Sequence, residues 1–325
     1  MKNSPFKKQD QSQFQILKQP GSEPGLKSIM PLYLLVFTAL LLIGSVLQSL
    51  HFEYGMIATQ VLIILVPAIF YWRSFKVDQV VFARLKPLSF KFIPIIILLS
   101  VSFWLINMFI AVGLVGWLIN FGFEPIVLIE PPSSWQQYLG YLVVLSVFAG
   151  ICEEILFRGT IMPALEKDGV VPAIVFSSLL FALLHGSFLS LLSTFLLGVV
   201  MAVIVIKTGS LWGGIVYHML NNFFAATYLF LVGSIEVTPV ELDANAFLAL
   251  LPFLILGLAG AVIGIIKLNR GSQSQSLLKN RTGWLPAGWL GWPFLMALFF
   301  FLLIALFELA VGFDWFDLSS TLGHN

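Results

Sequence analysis

Charge is what this sequence has least of. Asp, Glu, Lys and Arg make up 10% of its 325 residues, against about 25% in a soluble domain. Set beside 59% hydrophobic residues and a mean hydropathy of +0.97, that shortage excludes a water-soluble domain and makes lipid the solvent. A net charge of +1 leaves no basic stripe, which excludes nucleic acid as a partner. Cysteine occurs once, as Cys152, so there is no intrachain disulfide and no multi-cysteine metal cage. It neighbours Glu153, yet it reads as a small buried thiol. Also missing are the HExxH zinc signature, the GxSxG serine elbow and a paired-aspartate intramembrane motif. No internal repeat is visible.

What is present in quantity is long apolar runs. Nine are long enough to span a bilayer, near 30–50, 55–72, 93–119, 137–157, 170–186, 187–206, 211–233, 246–268 and 289–312. Backbone groups in hydrocarbon must be satisfied internally, so all are expected to be helices. The fifth run is short and leads almost directly into the sixth. The expected fold is therefore an all-α, polytopic membrane helix bundle of about eight or nine transmembrane helices. Threading nine spans from a cytoplasmic N-terminus puts all 17 Lys and Arg on one side, Arg158 among them. The opposite loops carry acids such as Glu124, Glu130, Glu236, Glu241, Asp243, Asp314 and Asp317. This positive-inside asymmetry predicts N-in and C-out.

The expected organisation is a flexible cytoplasmic tail over 1–29, N-terminal transmembrane helices over 30–120, a polar-residue-bearing core over 137–233 and C-terminal helices over 234–325. The tail is too hydrophilic for a cleaved signal peptide. The stretch 271–283 reads as a polar cytoplasmic linker. Gly260 and Gly264 form a GxxxG pair suited to close helix packing.

Against this background the few intramembrane polar residues stand out. Glu153 and Glu154 lie in YLGYLVVLSVFAGICEEILFRG, where each carboxylate costs roughly 2.5–3.5 kcal/mol near the bilayer centre. Glu154 and Arg158 are four apart on one helix face and are expected to pair. Glu153 points about 100° away and is free to face something else. Phe181 and His185 share a face of the fifth run; His218 and Asn222 share a face of the seventh, preceded by Gly213 and Gly214. Each pair taken alone also reads as packing or interhelical hydrogen bonding. The spacing favours convergence. Gly169 ends the turn Glu166–Gly169 and lies midway between Glu153 and His185, so an antiparallel hairpin there puts both at one depth, about 24 Å along each helix. A Glu, two His and an amide suffice to activate water and stabilise an oxyanion.

EEILFR (153–158), FALLH (181–185) and HMLNN (218–222) resemble, in order and spacing, the EExxxR, FxxxH and HxxxN motifs of the CAAX-protease and bacteriocin-processing family of intramembrane endopeptidases. The resemblance covers about 137–230. It implies that Glu153 activates the hydrolytic water with help from His185, that His218 and Asn222 stabilise the oxyanion, and that Glu154, Arg158 and Phe181 shape the site or contact substrate. It leaves two cofactor readings open: a divalent metal such as Zn held by Glu153, His185 and His218, as the metalloendopeptidase label has it, or none. The implied partners are the lipid bilayer and a membrane-anchored, prenylated or leader-containing peptide. The location implied is that of an integral, multi-pass membrane protein, in the plasma membrane if the host is prokaryotic. Two alternatives are a proton- or ion-coupled transporter and a non-catalytic immunity or scaffold relative of the same fold. Buried Glu and His also suit a transporter, although the missing repeat halves speak against it.

Overall fold

The structure, a computed structural model, describes residues 24–125, 129–233, 244–272 and 283–315. Most of the expected tail and linker, and the acids Glu236, Glu241, Asp243 and Asp317, lie outside these residues. Among the described residues every regular element is helical. Eight helices are long and apolar enough to cross a membrane. They are α1 (Leu26–Leu50), α2 (Phe52–Ser74), α3 (Phe90–Ile119), α4 (Trp135–Asp168), α6 (Leu191–Thr208), α7 (Leu211–Gly233), α8 (Leu248–Gly271) and α9 (Trp292–Gly312). Between α4 and α6 lies a shorter apolar helix, α5 (Val170–Leu184). The protein is a multi-pass integral membrane protein built as a helical bundle.

The two ends of the bundle differ in charge. At one end Arg84 pairs with Glu166 (2.6 Å), Ser210 donates to the Lys86 carbonyl, Lys91 donates to the Gly271 carbonyl and Ser272 donates to the Lys207 carbonyl. At the other, the Glu124 amide donates to the Gly312 carbonyl and the Tyr141 hydroxyl donates to the Glu130 carbonyl. Successive helices thus run back and forth between a basic and an acidic end. Arg158 departs from the expected threading. The apolar run stops near residue 157, but the helix continues to Asp168, and Phe157 to Met162 are all buried. The guanidinium consequently lies inside the protein rather than in a loop.

The fifth and sixth runs are also redrawn. Gly186 adopts φ +63°, a left-handed conformation that ends α5. A turn over 186–190 then leads into α6, so the expected run 170–186 is a helix of 15 residues and not a full span. That turn is held by α9: the Ser187 hydroxyl donates to Glu308 Oε1 (2.7 Å) and the Phe188 amide to Glu308 Oε2 (2.6 Å).

The α4–α5 hairpin follows the expected geometry. Gly169, at φ +117°, sits between the helices, a conformation that suits glycine. Phe157 and Phe181, equidistant from Gly169, meet edge to face at 5.1 Å. Within α4, π-helical turns at Leu142–Phe148 and Phe157–Ile161 bracket the α-helical stretch Ala149–Leu156 that carries both glutamates. Such turns recur at functional sites because the extra residue re-aims the side chains around it. Away from this centre, α8 packs along α3. Gly260 faces the Ser102 hydroxyl and Gly264 the Leu99 side chain too closely for any Cβ, which gives the GxxxG pair its partner.

Candidate active site

Four helices bring the polar residues together. The α4 stretch supplies Glu153, Glu154 and Arg158; α5 supplies Phe181, α7 supplies His218 and α2 supplies Gln60. All six side chains are buried, Arg158 and Glu154 at 0% exposure.

The two glutamates occupy different surroundings. Glu154 Oε1 accepts from Arg158 Nη1 (2.5 Å) and faces His218 Nδ1 at 3.2 Å. Its other oxygen lies against Gly214, where a Cβ would come within 2.6 Å of it. Glycine at that position of α7 is what lets the helix approach the carboxylate. Arg158 has a second anchor, with Nη2 donating to the Gly198 carbonyl on α6 at 3.0 Å. The guanidinium also lies over the Phe181 ring, 4.5 Å from its centroid. Glu154 and Arg158 therefore form an i,i+4 ion pair locked between three neighbouring helices. Removing one partner of such a buried pair would strand the other charge.

Glu153 is held more lightly. Its Oε1 accepts from Gln60 Nε2 at 2.8 Å, while Oε2 stands 3.9 Å from His218 Nε2. That second distance is too long for a hydrogen bond. A carboxylate can only accept, so the Nδ1 of His218 that faces Glu154 carries a hydrogen, and Nε2 is turned toward Glu153. One imidazole thus stands between two carboxylates: Glu154, whose Oε1 takes both Arg158 and His218 while its buried Oε2 has no hydrogen-bond partner among the described residues, and Glu153, whose Oε2 faces Nε2 without a hydrogen bond.

The remaining expected residues sit at the margin. Asn222, half-buried one turn along α7 from His218, donates to the Leu145 carbonyl on α4 (2.7 Å). His185 is exposed at the end of α5, its Nδ1 2.8 Å from the Phe181 carbonyl and its ring 4.7 Å from the Phe181 ring. The same phenylalanine meets the His218 ring at 5.8 Å, so Phe181 stands next to both imidazoles. Among the described residues, no hydrogen bond or ion pair links His185 to Glu153. Nor is any group of three His, Cys, Asp or Glu side chains among them arranged to hold a metal ion. The expected ligand set Glu153, His185 and His218 is thus not assembled. His185 is turned to the backbone of its own helix, and the Phe181 ring lies against both imidazoles. As placed, these residues do not fit a metal.

Gln60 and Glu308 escaped the motif reading. Gln60 lies beside Thr59 in the apolar run IATQVLIILVP, and Glu308 is the lone polar residue of LLIALFELAVG. Polarity within such a run was the available signal.

Fold and site together define a polytopic membrane protein with a buried acid–imidazole centre. Residues 135–224 match the sequence model of a family described as Type II CAAX prenyl endopeptidase Rce1-like. The matched segment contains EEILFR, FALLH and HMLNN, so the family match and the motif resemblance coincide. No curated protein and no solved structure matches the chain.

Proposed function

We propose that the protein is an intramembrane endopeptidase in which Glu153 activates the hydrolytic water. The observation that carries this reading is the asymmetry of the two glutamates. Glu154 is committed to Arg158 and His218 Nδ1, whereas Glu153 keeps one oxygen toward His218 Nε2 with no hydrogen bond between them. Glu153 takes a proton from water as the water oxygen attacks the scissile carbonyl. His218, with hydrogens on both nitrogens, spends Nδ1–H on Glu154 and offers Nε2–H to the oxyanion. Two carboxylates, one guanidinium and one imidazolium then balance in charge. Collapse of the tetrahedral intermediate passes the proton from Glu153 to the leaving amine, and the carboxylate is regenerated. The second amide hydrogen of Asn222 is the further oxyanion donor, and His185 Nε2 lines the approach to the site.

Helices α4–α7 form the catalytic core in this reading, with α1–α3 and α8–α9 as its scaffold. The positive-inside rule places the basic end in the cytoplasm. His218 lies seven residues into α7 from that end, about 11 Å, so a substrate reaches the site from the cytoplasmic half. The family description points to a prenylated C-terminal peptide, whose lipid would rest among the helices while the peptide enters the polar centre.

The test is cleavage of a panel of membrane-anchored peptides, farnesylated and unmodified, by purified protein in detergent. The reading expects cleavage by the wild type, unaffected by chelators, and none by Glu153→Ala. Ion flux without cleavage would support the transporter, and neither activity the non-catalytic relative.

A further inference from the structure

Gln60 belongs to α2, outside the matched segment 135–224, and yet it makes the only hydrogen bond to the Glu153 carboxylate within normal hydrogen-bond distance among the described residues. It is 3% exposed, lies in the π-helical stretch Thr59–Leu65 of α2 and packs against the α4 segment that bears the glutamates. The orientation of its amide is chemically fixed. An ionised carboxylate accepts only, so the NH2 group must face Glu153 and the carbonyl oxygen must face away from that bond. That carbonyl oxygen, Gln60 Oε1, is buried with no hydrogen-bond partner among the described residues. A buried amide acceptor without a partner costs about 1–3 kcal/mol and is not retained idly.

We infer that Gln60 positions both Glu153 and the water that Glu153 activates. Its NH2 holds Glu153 Oε1, which leaves Oε2 directed at His218 and the incoming water. A water at this place has two hydrogens. One passes to Glu153 as the oxygen attacks; the other stays on that oxygen, becomes the hydroxyl of the tetrahedral intermediate and is accepted by Gln60 Oε1. No further reactant is needed. The inference rests on the endopeptidase reading and adds to it an orienting group from a helix that the motifs do not reach. The charged and titratable groups around the site are Cys152, Glu153, Glu154 and Arg158 of α4 and His218 of α7.

The experiment compares wild type, Glu153→Gln, Gln60→Met and Gln60→Glu in peptide cleavage across pH, with the melting temperature of each measured in detergent. Gln60→Met keeps the shape and loses both polar groups. It is expected to lower kcat about 10²-fold, the scale of losing one preorganised group, with KM within about twofold. Gln60→Glu restores one donor and one acceptor only when its introduced carboxyl is protonated. Its kcat should therefore climb relative to Gln60→Met as pH falls. A cleaving wild type whose Gln60→Met variant keeps kcat, or whose loss lies wholly in KM, overturns the inference alone. So does a Gln60→Glu variant that follows Gln60→Met at every pH. A wild type that cleaves no peptide overturns the endopeptidase reading, and the Gln60 role falls with it.

Discussion

Helices α4 and α8 are both long and apolar, but they hold their places by opposite means. Half of the most apolar window of α4 is buried inside the protein, against 22% for α8. The α4 helix carries two glutamates and an arginine into that interior and pairs them with one another and with groups from α2, α6 and α7, while Glu154 Oε2 and Arg158 Nε are left without partners among the described residues. The α8 helix brings glycines instead and lies flush on α3. Close packing suffices where a helix has only to stay put. The expense of buried charge is found in α4, where EEILFR lies within the segment 135–224 that the family model matches.

The contrast can be broken first at the ion pair. Arg158→Met leaves Glu154 buried without its cation and should destabilise the protein by about 3–5 kcal/mol. Thermal unfolding in detergent checks this, and combining Arg158→Met with Glu154→Gln should recover much of the loss. Next comes the glycine seam. Gly264→Leu forces a side chain into Leu99 and should cost about 1–3 kcal/mol of overpacking, with kcat of the folded protein unchanged. If activity per folded molecule fell as well, α8 would be tied to the chemistry and the contrast would lose its meaning. The most local effect concerns α9. Glu308→Ala removes the carboxylate that accepts from Ser187 and Phe188, a loss of about 1.5–3 kcal/mol of local hydrogen bonding. The Phe188 amide should then exchange with deuterium at least tenfold faster, while the amides of α8 keep their protection.

Much of the centre was legible before any coordinates. The i,i+4 spacing of Glu154 and Arg158 needs only helix geometry, and the turn at Gly169 sets the hairpin register that the Phe157–Phe181 contact displays. The depth of Arg158 was not legible, because hydropathy ends the span where polar residues begin, and α4 carries its burial on to Leu165. The exposure of His185 depends on the left-handed turn at Gly186, which stops α5 just as the histidine is reached. Gln60 lies 93 residues before its partner and Glu308 120 residues after Phe188, and no local pattern links residues so far apart. Their one local mark is being polar within a long apolar run.

The proposed division of labour between Glu153 and Glu154 is tested most directly by measuring kcat and melting temperature for Glu153→Gln and Glu154→Gln side by side. Glu153→Gln should lose at least 10³-fold in kcat, within the range of a general base, and melt close to the wild type. Glu154→Gln should melt well below it, because Arg158 is left buried without a counter-charge. The opposite pattern, with catalysis surviving at Glu153→Gln and stability intact at Glu154→Gln, would contradict the account.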